Sequence, residues 1–145
     1  MGNLEFFSTL GTLVHRMKQR RPAAGSAKIL VVDDNPQVRE LLAELIESAG
    51  YGVSQAKSGE EALESLRRSR FDILVLDLEM PDLDGFDVLK VTRTEFTHLK
   101  VLVVSGYLDG ALLKAAECLG AAATLNKAQA SRALVKIVRR LAGDS

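Results

Sequence analysis

The chain has 145 residues, 47% of them hydrophobic, and its 19 basic residues balance 19 acidic ones. That length buries one sizeable core but not two. The apolar content excludes a disordered chain, and zero net charge gives no overall pull toward nucleic acid. A single cysteine, Cys118, excludes an internal disulfide framework and fits a reducing compartment. No apolar stretch approaches the roughly 20 residues needed to span a bilayer. The basic cluster near the N-terminus follows its apolar part, the reverse of a secretory signal. A soluble, cytoplasmic protein is expected.

Residues 1–26 differ in character from the rest of the chain. Leu4, Phe7, Leu10, Val14 and Met17 recur at helical spacing, widened by Phe6 and Leu13. Arg16, Lys18, Arg20 and Arg21 face only Glu5, a net +3 that leaves −3 for the remainder. The stretch from Arg21-Pro22 to Gly25-Ser26 reads as a linker. This organisation predicts an amphipathic basic extension over 1–26 and one domain over 27–145. For the extension, a tail and a helix docked on its own domain, a twin subunit or another protein stay open. Membrane contact is not expected, because the polar face is thin. Met1-Gly2 opens like a lipidation signal, but Phe6 stands where Ser or Thr is required.

From Lys28 the pattern alternates. Lys28-Ile29-Leu30-Val31-Val32 runs into Asp33-Asp34, Phe71-Asp72-Ile73-Leu74-Val75-Leu76 into Asp77, and Lys100-Val101-Leu102-Val103-Val104 into Ser105. A weaker run from Ala121 to Asn126 reaches Lys127, with Gly120-Ala121 opening it. Such Val-, Ile- and Leu-rich runs read as strands of a parallel sheet covered on both faces. Gly52 to Ala56 is a weaker strand, expected near an edge. Between the strands, Asn35-Pro36 starts a helix carrying Val38, Leu41, Leu42, Leu45 and Ile46 and stopping near Gly50. Ser58 to Glu61 forms a capping box. Further helices carry Val88, Leu89 and Val91; Leu108, Leu112, Ala115, Ala116 and Leu119; and Leu134, Ile137, Val138 and Leu141. Cys118 is expected in the core, on the apolar face of its helix. The predicted architecture is α/β: five helices and five strands in a doubly wound sandwich around a central parallel sheet.

In an open parallel sheet, ligands bind at the carboxyl ends of the strands. Asp33, Asp34, Asp77, Ser105 and Lys127 should therefore converge. Two like charges about 4 Å apart repel by roughly 4 kcal/mol at an intermediate dielectric. Three such carboxylates must either bind a cation or have their pKa values strongly raised. An all-oxygen cluster suits a hard divalent ion, and Mg²⁺ is the usual one where few carboxylates share it with waters and a phosphate. Lys127 offers a point positive charge and Ser105 a hydroxyl donor to a phosphoryl group. A carboxylate flanked by metal and ammonium is a feasible phosphoryl acceptor.

At these residues the chain resembles the receiver domain of bacterial two-component response regulators. The match rests on Asp33-Asp34, on Asp77 and the loop Leu78-Glu79-Met80-Pro81-Asp82-Leu83-Asp84-Gly85, on Ser105-Gly106, and on Gly120-Ala121 with Lys127. It spans roughly residues 27–141. The resemblance implies a CheY-like, flavodoxin-like (βα)5 fold with Asp77 as phosphoacceptor. It implies Mg²⁺ held by Asp33, Asp34, Asp77 and the Glu79 backbone carbonyl, and a phosphoryl group held by Ser105 and Lys127. The donor would be a sensor histidine kinase or phosphotransfer protein, and the output contact with a downstream protein. Autodephosphorylation would make it a signalling domain rather than a conventional enzyme, with Glu79 and Tyr107 at positions that tune the lifetime. Nothing after the last helix resembles a DNA-binding module, so a stand-alone regulator without nucleic-acid contact is expected, with a homodimer left open.

Two positions depart from the family pattern. Ala128 follows Lys127 where proline is usual, so a trans bond is expected there. Thr124 stands where an aromatic switch residue is usual. These motivate one rival, a receiver-like adaptor that works without phosphorylation. A second rival, a phosphohydrolase with a nucleophilic aspartate, would want an aspartate two residues beyond Asp77, where Glu79 stands. Asp82 and Asp84 read as turn residues, and His15 and His98 have no ligand company.

Overall fold

The computed structural model describes residues 26–80, 85–106 and 110–144. Five strands alternate with five helices: β1 Lys28–Val32, α1 Pro36–Ser48, β2 Gly52–Ala56, α2 Gly59–Arg68, β3 Ile73–Asp77, α3 Gly85–Glu95, β4 Lys100–Ser105, α4 Gly110–Cys118, β5 Ala123–Asn126 and α5 Ala130–Ala142. A 3-10 turn over Lys127–Gln129 joins β5 to α5. All strand pairs are parallel, in the order β2-β1-β3-β4-β5. The order reverses between β1 and β3, which opens a crevice at their carboxyl ends. The weak second strand is indeed at an edge.

Strand side chains alternate between two cores. Ile29, Val31, Ile73, Val75, Leu102 and Val104 pack with Leu42 and Ile46 of α1 and Leu134, Val138 and Leu141 of α5. Leu30, Val32, Leu74, Leu76, Val101 and Val103 pack with Leu63 and Leu66 of α2, Val88 and Leu89 of α3 and Ala116 of α4. The central strands are buried on both faces, so their sequences are continuously apolar.

The helix boundaries follow local chemistry. Asn35 accepts hydrogen bonds from the N–H groups of Gln37 and Val38 with Pro36 in the first turn, and Ser58 accepts from Glu61 N–H. Gly143 closes α5 in the left-handed region at φ 79°, its N–H donating to the carbonyls of Arg139 and Arg140.

Three expectations need correcting. Leu41 is 51% exposed: the core face of α1 centres on Leu42 and Ile46, and Leu41 lies past its rim. Cys118 is exposed, because α4 buries only Ala116 fully and Cys118 is rotated off that narrow face. The fifth strand starts at Ala123 rather than Ala121, since the positive φ of Gly120 and the Ala121 N–H bond to Ala116 still belong to the exit from α4. Among the described residues no helix is long and apolar enough to cross a membrane. The extension, apart from Ser26, lies outside the described residues, as do Asp82, Asp84, Tyr107 and Leu108.

Candidate functional site

Register alone aligns the strand ends. Val32 pairs with Leu76, so Asp33 and Asp77 follow side by side on β1 and β3. Asp77 pairs with Val104 and Ser105 with Asn126, so Ser105 and Lys127 come one step further along β4 and β5. Asp33, Asp77 and Ser105 are buried, at 1%, 2% and 2% exposure, whereas Asp34 and Glu79 are exposed.

One ammonium joins the two buried carboxylates. Lys127 Nζ lies 3.1 Å from Asp33 Oδ2 and 3.3 Å from Asp77 Oδ2. The second oxygen of each acid is held locally: Asn35 N–H donates to Asp33 Oδ1 at 2.9 Å and Glu79 N–H to Asp77 Oδ1 at 3.1 Å. The Lys127 ammonium is the close partner of the buried Asp33 Oδ2.

The charges are unequal, with three carboxylates against one ammonium. Burial pushes the Asp77 carboxyl up from its ordinary 3.8 to about 6, and the charge of Asp33 adds to the rise. The Glu79 N–H and Lys127 keep it from going further. For Lys127, burial works against the charged form, but Asp77 and Asp33 outweigh it and its pKa is raised. Asp33, Asp34 and Asp77 each offer an oxygen within 4.8 Å of the others. An all-oxygen donor set of this kind, two of its three carboxylates buried and only one ammonium beside them, fits a hard divalent cation.

Several contacts were not legible in the sequence. The Glu79 side chain, expected to matter through its backbone carbonyl, accepts a hydrogen bond from Ser105 Oγ at 3.1 Å and so braces the ends of β3 and β4. Arg39, one turn into α1, donates from Nη1 to the Asp33 carbonyl at 2.9 Å and from Nε to Gln55 Oε1 at 3.1 Å. It ties the β1–α1 turn to edge strand β2, and no motif announced it. A Cβ on Gly85 would collide with the Asp77 carbonyl oxygen and Leu78 Cα. The first residue of α3 must therefore be glycine for the helix to start against the Asp77 backbone. The Lys127–Ala128 peptide is trans, as expected, and Ala128 N–H donates to Asn126 Oδ1 at 2.9 Å. A proline there would have no N–H to offer. Thr124 is half-buried in β5, opposite Val103.

Residues 29–139 match the family model described as the response regulator receiver domain. Response regulator protein FleR of Pseudomonas aeruginosa is 37% identical over 117 residues, covering 79% of this chain but only 24% of FleR. Sporulation initiation phosphotransferase F of Bacillus subtilis is 33% identical over 94 residues, 65% of this chain and 76% of that protein. Among solved structures, chemotaxis protein CheY4 of Vibrio cholerae superposes with a TM-score of 0.76 at 28% identity, covering 81% of this chain and 99% of CheY4. A LuxR-family response regulator from Aurantimonas also gives 0.76, at 32% identity over 83% of this chain and 88% of that one. With five parallel strands in this order, carboxylates at the strand ends and these matches, the chain belongs to the response regulator receiver domain family of bacterial two-component systems.

Proposed function

We propose that Asp77 accepts a phosphoryl group from a phosphohistidine on a sensor kinase or phosphotransfer protein. A carboxylate oxygen of Asp77 bonds to phosphorus, the N–P bond of the phosphohistidine breaks, and the electron pair leaves with the imidazole, which takes up a proton. The observation that carries this reading is the single Lys127 ammonium within 3.3 Å of two buried carboxylates. It neutralises part of the charge on an incoming phosphoryl group. Asp33, Asp34 and Asp77, with the Glu79 backbone carbonyl, would hold Mg²⁺, which when bound supplies the positive charge the three carboxylates lack. The Ser105 hydroxyl exchanges its Glu79 acceptor for a phosphoryl oxygen. Hydrolysis of the aspartyl phosphate would return the domain to its resting state, and the output is contact with a downstream protein.

Intact mass after incubation with acetyl phosphate and Mg²⁺, beside Asp77→Asn, tests this. A Mg²⁺-dependent gain of one phosphate, absent from the variant, is expected. A folded wild-type protein that gains none would favour the phosphorylation-independent adaptor that Thr124 and Ala128 suggest.

A further inference from the structure

The amino edge of the sheet, at the other end of the strands from Asp77 and Ser105, carries a groove of about 350 Å³. It lies between the end of α2, the step into β3 and the step from α3 into β4. Its floor is apolar: Leu66 and Phe71 are each 6% exposed, with Phe96 and Leu99 half-buried beside them. Its rim is cationic: Arg67, Arg68 and Arg70 line it, and no carboxylate does. A second groove, of about 270 Å³, shares Arg70 and Phe71 with the first and adds Lys28 and edge strand β2. The two grooves thus adjoin at Arg70, and the second carries no carboxylate either.

The rim cations are weakly committed within the domain. Arg67 Nη2 lies 3.7 Å from Glu95 Oε2 and Arg68 Nη1 lies 3.9 Å from Glu64 Oε1, with all four side chains more than half exposed. Exposed pairs at such lengths contribute little, so a carboxylate from outside can replace either one. Arg70 has no ion pair or hydrogen bond among the described residues. Arg67 reaches toward α3 and Arg68 back along α2, which disperses positive charge around the apolar floor. A compact phosphate needs donors converging on one point, whereas dispersed arginines around aromatic side chains fit a longer acidic chain with an apolar anchor. The basic groove of α5, with Lys136, Arg139 and Arg140, lacks this combination: its lining includes Asp144 and no apolar side chain.

We propose that this groove docks an acidic segment of a partner protein, with an apolar side chain seated on Phe71, Phe96 and Leu99 and flanking carboxylates on Arg67 and Arg70. The surface lies at the far end of the strands from Asp77, so it does not depend on the phosphoacceptor reading. The test adds a short peptide, a Leu-Phe pair between runs of glutamate, to the full isotope-labelled chain and follows amide signals. Saturable shifts are expected at Leu66 to Phe71 and at Phe96 to Leu99, with half-saturation below about 1 mM. Replacing the Leu-Phe pair by alanines should weaken binding more than tenfold. The exposed-site double variant Arg67→Glu, Arg70→Glu should do the same, and should instead bind the peptide in which lysines replace the glutamates. No saturable shift, shifts centred on another face, or equal binding of a peptide with glutamine in place of glutamate would each overturn the proposal. So would the same shifts with inorganic pyrophosphate at equal concentration, which would make the groove a small-anion site. Shifts at these residues that grow with protein concentration in the absence of peptide would overturn it too, since the occupant would then be a second copy of the chain.

Discussion

Strand β3 has an aspartate at each end, and the two live in opposite circumstances. Asp72, just before the strand, lies at the amino edge of the sheet. Its Oδ2 accepts from Lys28 N–H at 2.8 Å, its own N–H donates to the Lys28 carbonyl, and its carbonyl accepts from Lys100 N–H at 3.1 Å. These three bonds extend the ladder. Asp77, five residues on, is buried beside Asp33, with one ammonium between two carboxylates. One residue type on one strand thus completes the sheet at one edge and leaves an electrostatic deficit at the other. The difference lies in what surrounds each carboxylate.

Substitutions at the two ends should separate these roles. Asp77→Asn has the largest expected effect: phosphate gain disappears while the fold becomes more stable. The folded-state pKa of about 6 lies above the ordinary 3.8, so the folded protein binds this proton more tightly and stability falls as pH rises between those values. At pH 7 the full penalty is present, about 3 kcal/mol from a shift of roughly two units. Urea unfolding should therefore show Asp77→Asn more stable by about 3 kcal/mol at pH 7 and equal to wild type near pH 4. Asp72→Ala should leave phosphorylation intact and cost about 1 kcal/mol. Similar responses at the two positions would erase the contrast.

Removing the bridging cation comes next. Lys127→Ala should slow acetyl phosphate labelling by about a hundredfold and move the carboxyl ¹³C titration of Asp77 above 6. A titration that stays put would mean that the ammonium is not what limits the rise. Gly85→Ala, which drives a methyl into the backbone of Asp77 and Leu78, should cost about 2 kcal/mol and lower Tm by several degrees. A Tm unchanged by Gly85→Ala would show that α3 can retreat from β3. The smallest effect is expected for Arg39→Gln, which unties the Asp33 carbonyl from β2 and should weaken Mg²⁺ binding about tenfold in a calorimetric titration. Unchanged affinity would mean that Asn35 alone holds the turn.

The parts of this contrast that sequence discloses are those set by strand periodicity. Continuous apolar runs locate β1, β3 and β4, and parallel polarity then sends Asp33, Asp77, Ser105 and Lys127 to one edge. Local caps such as Asn35 and Ser58 are legible because their partners lie within three residues. Contacts across long separations were not: Arg39 reaches Gln55 sixteen residues away, and Ser105 reaches Glu79 twenty-six away. Helix stripes were legible in direction but not in width, so Leu41 and Cys118 were placed inside although they lie past the rims of their faces. The Asp-Gly pair ending the β3–α3 loop was recognised as a motif, but its steric reason appeared only with the backbone of Leu78 in place.

Lys127 is both the cation of the carboxylate cluster and the first residue of the turn that launches α5. Its ammonium and its backbone therefore answer to different masters, the charge state of Asp77 on one side and the seating of a thirteen-residue helix on the other. A change of about one charge unit at one aspartate would be transmitted through a single side chain to the root of a lever about 20 Å long.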